Sequence, residues 1–320
     1  MNDARDLVDG RHVAIVGAGL VGSGWAVVFA RAGLRVKVFD SQAETQAGAL
    51  RSVHEQLTAL ERHGLLAEPA AHVLARVSCE ASLELCVDGA AYVQESTFER
   101  LDVKQALMRQ LDATLSADAV VGSSTSGIPA SAFASGLRIS PQVLIAHPVN
   151  PPSLIPLVEL VPAPATSARA LAFATALMTG VGQSVVHVRK EVDGFVLNRL
   201  QAVLLREAWA LVEDGVASCE DIDKTIRDGL GWRWSFMGPF ETIDLNAPGG
   251  VADYARRLGP LYRSIAASRA HAKEWSEELI KDVESQRRQE LSAESLAERR
   301  RWRDDRLAEF AAARDRREGS

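Results

Sequence analysis

The stretch that most constrains this chain is Gly17-Ala18-Gly19-Leu20-Val21-Gly22, lodged between two apolar runs. RHVAIVG before it is short and β-branched and reads as a buried strand. The apolar run after it, SGWAVVFARAG, reads as a helix that Gly33 ends. LRVKVFD then supplies a second strand, so the chain opens with a β-α-β unit. In that setting the glycines have a mechanical meaning. Gly17 permits the tight turn, Gly19 lets the backbone approach a pyrophosphate, and Gly22 allows helix and strand to pack closely. Unpaired N–H groups of the first helical turn, Leu20 and Val21 among them, face the same phosphates. Asp40 ends the second strand, where a carboxylate binds the adenosine ribose hydroxyls and repels the 2′-phosphate of NADP. The competing reading is a strand-end aspartate that caps the next helix. Arg35 and Lys37 lie nearby, but alternation along the strand points them elsewhere. The expected cofactor is NAD.

Residues 13 to 30 carry no charge and are about long enough to span a bilayer. Four glycines at 17, 19, 22 and 24 fit a tight turn better, so neither a membrane span nor a signal segment is expected. The formal net charge of −6 argues against nucleic acid as a partner, because phosphate binding needs a basic face. Cys79, Cys86 and Cys219 form no CxxC pair and have no histidines at metal-finger spacing. They read as free thiols of a reducing cytoplasm, with no metal site.

Further strand-like runs are LARVSC, AAYVQE, AVVGSST, VLIAH, PLVELV and SVVHVR, several of them separated by helical runs. Such alternation predicts a Rossmann-type α/β fold, a doubly wound and largely parallel sheet covered on both faces. After about Lys190 the texture turns helical. FVLNRLQAVLLREAWALVEDG is amphipathic, and Ser218 with Asp221 opens a further helix as a capping box would. We expect a dinucleotide-binding domain over 1–190 and an all-α domain over 191–320. The charge-dense end, as in AERRRWRDDRLAEF, nearly balances its signs and reads as a solvated helix.

Catalytic chemistry is suggested by AHPVNPPSLIPLVEL, residues 146 to 160. Oxidising an alcohol by hydride transfer needs a group that removes the alcohol proton, and histidine is tuned for this near neutral pH. His147 ends the VLIAH strand, at the carboxyl edge where open α/β sheets bind ligands. Glu159 follows across a proline-dense connector that cannot be helical. It can hold the other imidazole nitrogen and stabilise the imidazolium. The residues alone also allow a buried structural histidine satisfied by the backbone.

GAGLVG, SSTSG, HPVNPPSLIPLVEL, GFVLNRL and GPFETIDL, in this order and spacing, resemble the 3-hydroxyacyl-CoA dehydrogenase family. The resemblance implies an NAD-binding N-terminal domain and a helical C-terminal domain that forms a homodimer. It implies His147 as general base, Glu159 as its orienting partner, and Ser126 and Asn198 as polar residues that hold the reacting oxygen. Glu99 and Lys104, in FERLDVK, match positions near the nicotinamide half of the cofactor. Within the family the chain looks most like the lambda-crystallin, or L-gulonate 3-dehydrogenase, branch, through HPVNPP, KEVDGFVLNRLQ, GLGWRWSFMGPFET and RRRWRD. The enzymes for L-carnitine share part of that likeness. Acyl-CoA members have a shorter turn before MGPFE, without WRWSF. Arg233 therefore adds a cation whose planar fork suits a substrate carboxylate better than a thioester. A surface or interface arginine between Trp232 and Trp234 is the alternative. The implied activity is NAD-dependent oxidation of the 3-hydroxyl of a small hydroxy acid, L-gulonate first. L-carnitine or a 3-hydroxyacyl-CoA is the alternative substrate, and a non-catalytic crystallin-like or NAD-binding role the alternative of another kind.

Overall fold

The structure is a computed structural model that describes residues 4–269, 271 and 273–318. It divides into two compact units, one of residues 1–199 with 300–320 and one of residues 200–299.

The first unit is built on eight strands: β1 (His12–Val16), β2 (Val36–Phe39), β3 (Val77–Cys79), β4 (Ala90–Glu95), β5 (Val120–Ser123), β6 (Val143–Pro148), β7 (Leu157–Pro162) and β8 (Ser184–His187). Their order across the sheet is β3-β2-β1-β4-β5-β6-β7-β8. Central strands read as unbroken apolar runs because both faces are covered. On β1, Val13 and Ile15 enter one core while Ala14 and Val16 enter the other, the period-two alternation of a strand. Of the longer helices, α1 (Leu20–Arg31), α2 (Ala43–Arg62) and α4 (Ala168–Gly180) pack on the first face. The helix α3 (Leu101–Thr114) packs on the second. After β1 the chain moves outward to β2 and β3, then returns to place β4 on the other side. Reversal of the winding opens a crevice at the carboxyl ends of β1 and β4.

The sheet departs from a purely parallel one at its far side. Strands β1 to β6 pair in parallel, but β7 runs antiparallel to β6, and β8 is parallel to β7. The physical reason is the connector 149–156. A parallel crossover needs about a dozen residues or more, whereas a short link only lets the chain fold back on itself. The connector is pinned to the helices beneath it. Gly24 of α1 lies so close to Pro152 that an added Cβ would come within 2.8 Å of the proline ring. Arg31 donates to the Ser153 carbonyl at 2.8 Å, and Ser153 donates to Gln56 at 3.1 Å.

The second unit is helical, with no strand among its described residues. It holds most of α5 (Leu197–Glu213), then α6 (Gly250–Ser268) and α7 (Glu277–Glu290), with shorter helices between α5 and α6. Ser218 accepts from the Asp221 N–H at 3.1 Å and donates to its carboxylate at 2.7 Å, the cap that starts one of these short helices. The last helix, α8 (Leu296–Glu318), falls from Arg300 onward in the first unit. There Asp305 meets His63 at 3.4 Å and Ala308 is buried. No helix among the described residues is long and apolar enough to cross a membrane. The apolar stretch of residues 13 to 30 is divided between β1, the glycine turn and α1.

Candidate active site

At the crevice, the glycine turn is shaped by what the glycines exclude. Gly17 has a φ of +99°, and a Cβ there would lie 2.4 Å from the Ser96 carbonyl oxygen at the end of β4. A Cβ on Gly22 would lie 1.8 Å from the Gly17 carbonyl, so α1 could not start against the turn. Gly19, the N-cap of α1, is different: a Cβ there would meet nothing within 4 Å. That open approach to the first N–H groups of α1 fits a pyrophosphate. Asp40 is half-buried beside the turn. One carboxylate oxygen accepts from the Ala18 N–H at 2.7 Å and the other from the Gln42 N–H at 2.8 Å. It thus caps the segment after β2 and also clasps the glycine turn, and each oxygen keeps a lone pair for a ribose hydroxyl. Lys37 donates to the Leu85 carbonyl at 2.9 Å and Arg35 to the Gly10 carbonyl, so both basic groups are engaged elsewhere. The residues present fit NAD.

His147 and Glu159 are directly opposed partners across the antiparallel β6–β7 pair. Both are buried, and His147 Nδ1 lies 2.8 Å from one Glu159 oxygen. The other Glu159 oxygen accepts from the N–H groups of Val196 and Leu197, each at 2.9 Å. Burial pushes the Glu159 carboxyl upward, but the hydrogen bonds from His147, Leu197 and Val196 outweigh it and leave the group below its usual range. Ionised, it can only accept, so Nδ1 carries the proton and a neutral ring keeps its lone pair on Nε2. The fully buried Phe195 ring packs beside the imidazole, with centroids 5.6 Å apart. Its φ of +51°, next to Gly194 at +74°, is a conformation that costs on the order of 1–3 kcal/mol. Phe195 lies inside the GFVLNRL motif, but nothing in its residue type marks it as packing on the histidine.

A second constellation forms at the ends of β4 and β5. Glu99 Oε1 accepts from Thr125 Oγ1 at 2.6 Å and from the N–H groups of Ser126 and Gly127 at 2.8 and 3.2 Å. Burial pushes the Glu99 carboxyl up, yet Thr125, Lys104 and these backbone donors bring it below its usual range. Asn198 donates from its side chain to the Ser126 carbonyl at 2.7 Å. Ser126 is exposed on its loop and Asn198 half-buried in the first turn of α5. Lys104, by contrast, is only 1% exposed. The segment from Phe195 to Asn198 therefore touches both constellations, through the Val196 and Leu197 N–H groups and the Asn198 side chain. Arg233 belongs to the second unit, exposed on the short helix Gly231–Trp234 between the exposed Trp232 and Trp234.

Within the first unit, a cavity of about 900 Å³ is lined by Leu20 of the glycine turn, Asn150 and Pro151 of the connector, and side chains of α2 and α8. His147 is not one of its walls. No cluster of ligands suited to a metal ion occurs among the described residues.

The glycine turn and the match to an NAD binding domain define the class as an NAD-dependent dehydrogenase. The chain belongs to the 3-hydroxyacyl-CoA dehydrogenase family: the NAD binding domain of that family is matched by residues 12–192 and its C-terminal domain by residues 194–292. Among its relatives, lambda-crystallin of Oryctolagus cuniculus is 41% identical over 303 residues, covering 93% of this chain and 95% of that protein. L-carnitine dehydrogenase of a Pseudomonas species is 39% identical over 295 residues, covering 92% and 91%. A solved structure similar to this one is that of 5-formyl-3-hydroxy-2-methylpyridine 4-carboxylic acid 5-dehydrogenase, an NAD+-dependent dismutase. It aligns with a TM-score of 0.78 at 26% identity, covering 97% of this chain and 99% of that one.

Removing the Asp40 carboxylate takes away the clasp on Ala18 and the carboxylate expected to bind the ribose. Asp40→Ala is expected to raise KM for NAD at least tenfold and to narrow the preference for NAD over NADP. Steady-state kinetics with both cofactors checks this; a wild-type enzyme that reduces NADP as efficiently as NAD would contradict the role given to Asp40.

Proposed function

We propose that this enzyme oxidises the 3-hydroxyl of a small hydroxy acid, with L-gulonate, converted to 3-dehydro-L-gulonate, as the first candidate. The reading is carried by the buried hydrogen bond between His147 and Glu159. It commits Nδ1 and leaves Nε2 as the ring atom that takes the alcohol proton. Glu159 keeps the ring in orientation and offsets the positive charge the imidazole gains. The Ser126 hydroxyl and the Asn198 side chain hold the reacting oxygen as charge develops on it. NAD, when bound, accepts the hydride from the carbon that bears this hydroxyl. The glycine turn and Asp40 would hold the adenosine diphosphate half of the cofactor, and Glu99, with Lys104 behind it, would serve the nicotinamide half.

The choice of a short acid rests on Arg233 and on the likeness to the lambda-crystallins. A guanidinium binds a carboxylate through two parallel hydrogen bonds, and a thioester offers no such partner. L-carnitine is a second reading. The Pseudomonas relative favours it, and so do the exposed Trp232, Trp234 and Phe236 beside Arg233, because a quaternary ammonium is attracted to aromatic faces. Activity in the cytoplasm suits the free thiols Cys79, Cys86 and Cys219.

A homodimer formed through the second unit completes the proposal. Leu200 and Val203 of α5 are 63% and 58% exposed, and Leu261 and Ile265 of α6 are 53% and 45% exposed. Apolar faces of that extent mark association surfaces. Sedimentation equilibrium is expected to give twice the chain mass of 34.5 kDa, and Val203→Asp with Leu261→Asp to shift the protein toward monomer. A monomeric wild type would contradict the dimer.

Substrate class is tested with NAD and a panel of L-gulonate, L-carnitine, 3-hydroxybutyrate and 3-hydroxybutyryl-CoA, following absorbance of the reduced cofactor. Wild type is expected to favour L-gulonate. Arg233→Met keeps apolar bulk without the fork and should lower kcat/KM on the preferred acid at least tenfold, with NAD affinity little changed. Preference for the CoA thioester overturns the short-acid reading, and an unchanged rate in Arg233→Met makes that residue structural.

A further inference from the structure

Beneath the Ser126 loop lies an ion pair that the reaction as described does not use. Glu95 ends β4 with no exposed surface, and Lys104, in the first turns of α3, is 1% exposed. The Lys104 ammonium lies 3.0 Å from each Glu95 oxygen and 3.4 Å from the Oε2 oxygen of Glu99. Two of its three N–H donors go to Glu95, and its charge faces Glu99 as an ion pair. Glu95 is equally committed: it also accepts from the Thr97 N–H at 2.7 Å, the Thr97 hydroxyl at 2.6 Å and the Ser123 hydroxyl. Glu95 has no lone pair left to relay a proton. What the pair does deliver is a fixed positive charge to one oxygen of Glu99. The other oxygen of Glu99 gathers Thr125 Oγ1 and the N–H groups of Ser126 and Gly127, and the Ser126 carbonyl receives Asn198.

We propose that Glu95 and Lys104 are positioning residues: a buried ion pair whose positive charge holds Glu99, and through Glu99 the Thr125–Gly127 loop and the side chain of Asn198. The consequence for catalysis rests on the reading of Ser126 and Asn198 as the groups that hold the reacting oxygen. Charge explains why a lysine is required. Glu95 and Glu99 are two carboxylates facing one site, and without a cation between them they repel. Glu99, 45% exposed on its side chain, would then turn toward water and release the loop. Two anions around one cation leave a net negative charge at the loop, which the Thr125, Ser126 and Gly127 donors absorb.

A pair that only staples β4 to α3 would affect stability alone, so the test separates stability from loop order and turnover. Lys104→Met leaves Glu95 buried and uncompensated, and thermal unfolding should move down by several degrees. Adding Glu95→Gln removes the stranded charge and should restore most of that loss. The double variant nevertheless lacks the cation that holds Glu99. In hydrogen–deuterium exchange of the full-length enzyme, a peptide spanning 124–128 should exchange at least tenfold faster than in wild type. Its kcat/KM for the preferred hydroxy acid should fall at least tenfold, chiefly in kcat. Glu99→Gln keeps the core pair at a half-exposed position and should accelerate exchange in the same peptide, which preserves the test if the double variant folds poorly. Wild-type exchange at 124–128 in both variants overturns the positioning role whatever happens to turnover. Faster exchange with wild-type turnover shows instead that Ser126 and Asn198 do not hold the substrate, and the catalytic half of the proposal falls with that reading.

Discussion

The Glu159 carboxylate is the interaction on which the rest of the active site depends. Taking a carboxylate out of water costs several kcal/mol unless hydrogen bonds replace the lost hydration. Here one oxygen takes His147 and the other takes the N–H groups of Val196 and Leu197. Hydrogen bonds to an ionised acceptor are about twice as strong as neutral ones, so removing any of these donors is felt by the others. The carboxylate thereby fixes the imidazole, and it also fixes where α5 starts. The left-handed Phe195, whose ring packs beside the imidazole, is held by its own N–H bond to the Val192 carbonyl and by the bonds from Val196 and Leu197 to Glu159.

Two carboxylate centres of similar design thus stand in the first unit, and in the mechanism proposed here they flank the reacting position. Glu159 organises β6, β7 and the entry to α5, while Glu99 organises the loop after β5 from its place after β4. They meet along Phe195–Asn198, where Leu197 binds Glu159 and Asn198 binds the Ser126 carbonyl. Each centre uses one oxygen toward a cation or an imidazole and the other toward backbone N–H groups. Such an arrangement sets geometry before any ligand arrives, which favours stabilisation of a transition state over adjustment to it.

How much of this is legible in the sequence follows from the range of the interactions. The glycine turn and Asp40 are local, a strand, a turn and a helix in succession, and their spacing points to the cofactor directly. His147 and Glu159 stand out as residue types at strand ends, but their register does not. Alternation of strands and helices suggests a largely parallel sheet, and the shortness of 149–156 explains why β7 folds back against β6. The clasp of Asp40 on the Ala18 N–H is invisible until β2 lies beside β1. Glu95 reads as an unremarkable strand-end acid because its partners come from α3 and β5. Phe195 gives no signal either, since left-handed backbone is expected of glycine and not of an aromatic residue. The segment from Arg300 onward reads as a solvated helix, yet Asp305 and the buried Ala308 join it to the first unit.

The central claim is that His147, held by Glu159, removes the proton during hydride transfer. Rapid mixing under single-turnover conditions, with saturating NAD and the preferred hydroxy acid, isolates that step from product release. For His147→Gln the account predicts a burst of reduced cofactor slowed by on the order of 10²–10⁴-fold, with NAD affinity by fluorescence titration within about fivefold of wild type, since a change under about 1 kcal/mol leaves binding in that range. A burst in His147→Gln as fast as that of the wild type would contradict it.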